Sequence, residues 1–188
     1  MFLLIVGLIV FLGVHSVRIV APDWREAQIA RLGENGWKGL YSIVSLVGFV
    51  LLVWGYARAW PVAPVLYEPP VWMKHVTAAL MLLAFISLMV WRFPAGRLKP
   101  VLKHPMLLAI KIWAFAHLLA NGDLASLILF GSFLAWAVWD RIAVKRSGEA
   151  TVAAGPVKWD FAAAVAATLL YILFVWKLHA WLFGVSPF

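Results

Sequence analysis

Apolar positions in this chain fall in long continuous runs, not in the alternating or three-in-seven stripes of half-buried strands and helices. The first run is Met1 to Val20, and no Lys or Arg precedes Arg18. Runs of similar character cover about 39–57, 71–91, 105–120, 124–144 and 160–183. A helix needs roughly 20 apolar residues to cross a bilayer. The pattern therefore predicts an all-α integral membrane protein with six transmembrane helices in one bundle. The run 105–120 is short for that task unless it begins near Pro105 and tilts little. With no internal repeat, low-complexity tract or separate soluble segment, 1–188 reads as one transmembrane domain.

The breaks between runs carry their own signals. Ala21 to Lys38 reads as a polar loop with Pro22 and an Asn35-Gly36 break, its Trp24–Leu32 part suited to an interfacial helix. Pro61, Pro64, Pro69 and Pro70 forbid continuous helix and place the start of the third span at Val71. Asn121-Gly122 is expected to supply a left-handed stop and Asp123 an N-cap, making the fourth and fifth helices a tight hairpin. Asp160 is expected to cap the sixth span after a loop with Ser147, Gly148, Gly155 and Pro156. The first run lacks the basic start of a signal peptide and reads as a retained helix.

Charge adds orientation. The 188 residues are 65% hydrophobic and 13% charged, about half the charged share of a soluble domain. The net charge of +8 does not point to nucleic acid, because the cations sit between apolar runs. Arg18, Arg25, Arg31 and Lys38 lie in the first loop; Arg92, Arg97, Lys99 and Lys103 in the third; Arg141, Lys145, Arg146 and Lys158 in the fifth. The second loop has only Arg58 and Lys74, and the fourth none. Odd loops are thus cytoplasmic, and both termini lie outside. Twelve tryptophans, many near run ends, fit interfacial belts. Cysteine is absent, which excludes thiolate catalysis and Cys-based metal sites.

Candidate chemistry gathers in Lys103 to Asp123, where His104, Lys111 and His117 interrupt apolar sequence. An ionisable residue inside a span is by default a functional candidate. His104 and His117 are 13 residues apart, about 20 Å along a helix and about 140° around it, so a straight helix cannot bring both to one small ion. His104 and Lys111 share a stripe; Trp113 and Ala114 lie with His117. His15 lies within the first span, one turn before Arg18, whereas His75 and His179 read as interfacial, solvated residues. Imidazoles in an apolar bundle without Cys suit haem b, which takes one axial histidine from each side. Ala114 and Ala120 would leave clearance for a flat ring. Equally, small residues let helices approach closely, and His117 suits a packed histidine bonded to a neighbouring carbonyl.

His104-Pro105, Trp113-Ala114-Phe115-Ala116-His117, Asn121-Gly122-Asp123-Leu124-Ala125-Ser126, Trp139-Asp140-Arg141 and Val14-His15-Ser16 together resemble the NnrU family of bacterial membrane proteins, over nearly the whole chain. The resemblance implies a multi-pass protein of the bacterial inner membrane, linked to denitrification and nitric-oxide metabolism. It also implies kinship to plant zeta-carotene isomerase, a haem b enzyme that isomerises a cis double bond when its iron is reduced. Carried over, the axial ligands are His15 and His117. The isomerase's Trp-Cys-Ala-Ala-His run has its cysteine at Ala114 here, so a thiol ligand is absent. Arg18 would face the haem propionates, with His104, Lys111 and Trp113 as further cofactor-side residues. The loop-charge topology offsets His15 and His117 by on the order of 8 Å across the bilayer, which makes His15 with His104 the competing pair.

Two other classes remain open to the sequence. Lys103-His104-Pro105 also resembles the basic-His-Pro start in membrane methyltransferases, but the paired glutamates of that site reduce here to Glu149 alone. A non-enzymatic electron-transfer or assembly factor fits the same histidines, where an isomerase would instead take an apolar polyene. Orientation is directly testable. Reporter fusions are expected to place both termini outside and Arg97 in the cytoplasm; an external Arg97 overturns the charge argument.

Overall fold

A backbone in lipid must satisfy its own polar groups, and long apolar runs do so as helices. The computed structural model describes residues 1–148 and 152–187, and among them it holds helices and one isolated β-bridge. Glu149 lies outside the described residues. The helices are α1 (Phe2–Val20), α2 (Pro22–Ala59), α3 (Met73–Arg92), α4 (Leu98–Leu102), α5 (Pro105–Ala120), α6 (Leu124–Arg146), α7 (Lys158–Leu173) and α8 (His179–Phe183). A single π-helical turn, Phe174–Leu178, joins α7 to α8.

Among the described residues, five helical segments are long and apolar enough to cross a membrane: Phe2–Val20, Pro22–Val62, Met73–Arg92, Leu124–Arg146 and Lys158–Phe183. The protein is therefore an all-helical membrane protein in a lipid environment. The apolar α5 has 16 residues, about 24 Å of helix, against a hydrocarbon core of about 30 Å.

The chain forms two compact units, Met1–Leu66 with Asp123–Ser132, and Tyr67–Gly122 with Phe133–Phe188. In the first, α1 and α2 run antiparallel at backbone contact. A Cβ at Gly48 would fall under 3 Å from the Phe11 backbone, and one at Gly55 would meet the backbone of Leu4. Without a hydrophobic drive between helices in lipid, such close dispersion contact holds the pair. Leu4, Leu8 and Leu52 are buried there.

Within Ala21 to Lys38 the Trp24–Leu32 part is helical as expected, and the remainder from Pro22, expected as polar loop, belongs to α2 as well. Pro22 opens α2 at its first turn, where a missing N–H costs nothing, and Lys38 pairs with Glu34 at 3.0 Å one turn apart. The break falls at Gly33 (φ 74°, ψ 161°), not at Asn35-Gly36. That conformation is essentially open only to glycine. Trp24 and Trp37, on either side of it, meet edge to face at 5.9 Å.

In the second unit α3 packs antiparallel on α5. Ser87 Oγ donates to Pro105 O (2.8 Å) at one end and Thr77 Oγ1 to Ala116 O (3.0 Å) at the other. Contacts of Phe85 with Tyr171 and Phe174 bring α7 and the π turn onto α3. The third span starts at Met73, two residues later than Val71, after a turn in which Met73 N donates to Pro70 O.

Asp160 does not cap the helix it begins beside. Its carboxylate accepts Arg97 N (2.7 Å) and Leu98 N (3.1 Å), so it closes the start of α4, and α7 begins at Lys158 with Val157 as N-cap. The packing account of α1 and α2 has a direct check. Gly55→Val is expected to cost about 1–3 kcal/mol through overpacking. Gly13→Ala, which meets nothing within 4 Å, should be neutral or stabilising by up to about 1 kcal/mol. Unfolding of the two purified variants in detergent compares them; equal stability would remove close approach as the basis of the pair.

Candidate functional site

Helical spacing of four places a histidine ring beside the carbonyl of the preceding turn, and in this chain two histidines within apolar helices use that position. His15 Nδ1 bonds Phe11 O at 2.6 Å and His117 Nδ1 bonds Trp113 O at 2.8 Å. A carbonyl only accepts, so in the neutral ring Nδ1 carries the proton and Nε2 holds the lone pair. That tautomer is the one a metal-ligating histidine presents when its other nitrogen is fixed by the backbone.

Each ring is also walled by aromatics. In the first unit, His15 is half-buried, its ring 4.3 Å from that of Phe11 and edge-on to Tyr41 at 5.3 Å. Ser16 turns its hydroxyl onto Leu12 O (2.7 Å), and Arg18 is exposed in the last turn of α1. In the second unit, His117 lies 5.5 Å from the Trp113 ring, which stands edge-on to Phe133 at 5.3 Å. Ala114 and Ala116 beside it are fully buried.

The carbonyls around His117 are tied down from several directions. Asn121 donates to His117 O through both its backbone N (3.0 Å) and its Nδ2 (2.9 Å). Tyr67 OH donates to Leu118 O and to Asn121 O, and Thr77 holds Ala116 O. The Asn121-Gly122 stop works differently from the expected left-handed turn. Asn121 is extended (φ −130°, ψ 118°) and Gly122 has no positive φ. Glycine is needed at 122 because Tyr67 O occupies the space of a Cβ, while Tyr67 N donates to Gly122 O at 3.3 Å.

The other sequence candidates fall as follows. His104 is the N-cap residue of α5, half-buried, its backbone N bonded to Leu102 O at 2.6 Å across Lys103. Lys103 (φ 60°, ψ −59°) is the one non-glycine with positive φ among the described residues. Such backbone strain costs on the order of 1–3 kcal/mol. Lys111 is half-buried midway along α5. His75 is exposed at the start of α3. His179 is half-exposed near the far end of the last helical segment: its Nδ1 bonds Val185 O (2.7 Å), and its ring packs on Phe174 and Phe183. Among the described residues no group of three or more His, Cys, Asp or Glu is arranged to hold a metal ion.

Sequence reasoning missed a second polar cluster, in the first unit. Asp123 is the N-cap of α6 as expected, accepting Ser126 N at 2.8 Å. Its other oxygen accepts Ser126 Oγ at 2.6 Å, and Ser126 Oγ meets Tyr56 OH at 2.9 Å. Because the Ser126 proton points to the carboxylate, Tyr56 is the donor to Ser126. Asp123 and Ser126 are buried. The signal in the sequence was Tyr56 itself, one of only four tyrosines, inside an apolar run.

A family model described as NnrU protein matches residues 3–187, nearly the whole chain. No curated protein matches. No solved structure matches. The buried cluster supplies its own check: Tyr56→Phe should lower stability by about 1 kcal/mol. Asp123→Ala should cost about 1–2 kcal/mol as a lost cap. Combined, the two should fall short of additivity, because they share Ser126. Additive losses in denaturant titrations would dissolve the network.

Proposed function

Since the chain belongs to the NnrU family, we propose that it is a haem b-binding protein of the bacterial inner membrane, with His15 and His117 as the residues that would hold the iron. The observation that supports this reading is the shared Nδ1–carbonyl bond, which sets the tautomer with the lone pair on Nε2 in both rings. The donor set fits the group: haem asks the protein for one or two nitrogen ligands, and His15 and His117 each bring one imidazole whose Nδ1 is bonded to a carbonyl. Bound haem b would supply a redox-active iron.

The protein's own residues bind and orient. Phe11 and Tyr41 hold the His15 ring, Trp113 and the tied last turn of α5 hold His117, and Arg18 offers its cation to the propionate carboxylates. His104 and Lys111 are assigned to the cofactor side without ligating it. Six spans with both termini outside complete the reading, α5 serving as the short one.

Two roles follow from haem: a redox-dependent cis-trans isomerase of an apolar polyene, or a carrier of electrons in nitric-oxide-linked metabolism, the assembly-factor role being its non-catalytic variant. Ala114 favours the second. It is fully buried and ends at Cβ, where the resembled isomerase has a thiol available for ligand exchange. Turnover of a cis-polyene by reduced protein would reverse that preference.

Visible spectra of detergent-purified protein, oxidised and reduced, test the proposal; a preparation without a Soret band ends it. His15→Ala and His117→Ala should each abolish the six-coordinate spectrum, since no neighbouring side chain replaces imidazole. His75→Ala and His179→Ala should leave it intact, and His104→Ala should keep its haem. Loss of haem in His104→Ala with normal haem in His15→Ala would replace the pair. Arg18→Ala is expected to retain less haem than Lys145→Ala, and equal retention removes Arg18 from the site.

A further inference from the structure

The short helix α4 forms an elbow between α3 and α5 whose charges are unevenly used. Lys99 turns its ammonium back onto the end of α3, donating to Trp91 O and Phe93 O at 2.8 Å each. Asp160, the carboxylate at this elbow, accepts two backbone N–H groups and pairs with no cation there. Gly155 N donates to Gly96 O (3.1 Å), and Phe93 meets Trp159 at 6.5 Å, so the start of α7 is fastened to the same place.

Arg92, Arg97, Lys103 and Lys158 surround this fastening, all exposed. None of them has a carboxylate partner among the described residues. Lys158 instead sits over the Trp159 ring at 5.4 Å. Lys103 is held in the positive-φ turn that reverses the chain between α4 and α5. On the same elbow Val101 is 72% exposed and Leu98 38% exposed. Cations without counter-ions beside exposed aliphatic side chains, at the end of membrane helices, match an amphiphile with an anionic head.

We propose that the α4 elbow is a binding site for an anionic phospholipid, its phosphate held by Arg97, Lys103 and Lys158 with Arg92 beside them, and its acyl chains lying along Leu98 and Val101. Juxtamembrane cations gain from anionic headgroups, and the gain fades within a Debye length. The hydrogen bonds of Asp160 and Lys99 keep the elbow folded while leaving these four charges for the lipid. The site stands independently of haem.

The test measures lipid retained by the full-length purified protein in mixed micelles of phosphatidylglycerol and phosphatidylcholine at equal concentration. Wild type is expected to retain phosphatidylglycerol several-fold over phosphatidylcholine, with the preference falling as salt is raised. Arg97→Gln with Lys103→Gln and Lys158→Gln should abolish the preference. The charge-preserving triple, Arg97→Lys with Lys103→Arg and Lys158→Arg, should keep it. Arg25→Gln with Arg31→Gln and Arg58→Gln, which removes equal charge elsewhere, should also keep it. If the first triple does not fold, Lys103→Gln and Lys158→Gln are measured singly, and each should lower the preference. Unchanged preference in the elbow variants, equal loss in the distant triple, or displacement of the lipid by millimolar inorganic phosphate overturns the proposal.

Discussion

A polar group placed at membrane depth is costly without a partner supplied by the protein, because lipid offers none. In this chain the partner is repeatedly a backbone carbonyl. His15, Ser16, Thr77, Ser87, His117, Asn121 and Thr168 each direct a side-chain nitrogen or oxygen onto a carbonyl of their own or a neighbouring helix. Carbonyls have a second lone pair beyond the helical bond, so this arrangement satisfies side chains without disturbing the helix. It also fixes orientation: a ring or hydroxyl tied to the preceding turn has little freedom left.

The same constraint links stability to chemistry at the histidines. A packed imidazole bonded to a carbonyl is a satisfied membrane residue, and the sequence allowed that bland role for His117. Yet the bond that satisfies Nδ1 is also the one that sets the tautomer, with the lone pair on Nε2. Structural satisfaction and readiness to ligate are therefore one feature, and a bound metal centre is what separates the two roles. Around His117, Tyr67, Thr77 and Asn121 extend the pattern by holding the carbonyls of the last turn of α5.

Helix ends show the constraint at the membrane boundary. Unpaired N–H and C=O groups there must be closed, and the chain closes them with residues distant in sequence. Asp160 closes the start of α4, Tyr67 the end of α5, and Lys99 turns back on the end of α3. Asp123 does it locally and then extends the bond to Tyr56 through Ser126. Charged residues at the elbow thus divide into those that hold the fold and those left for the surroundings.

The amino-acid sequence by itself determined the helical class, the membrane setting and the positions of the apolar segments, because runs of about 20 apolar residues admit little else. It also marked Asp123 as a cap. Local spacing could not determine which end Asp160 closes, since a carboxylate before a helix reads as its cap whether or not another N–H pair lies nearer. It misplaced the break in α2, because Asn35-Gly36 is the stronger turn signal while Gly33 takes the positive φ. Contacts such as Tyr67 with Leu118 O and Tyr56 with Ser126 join residues distant in sequence through packing. Those were decided by tertiary structure alone, because a side chain's hydrogen-bond capacity is written in the sequence and the carbonyl that meets it is not.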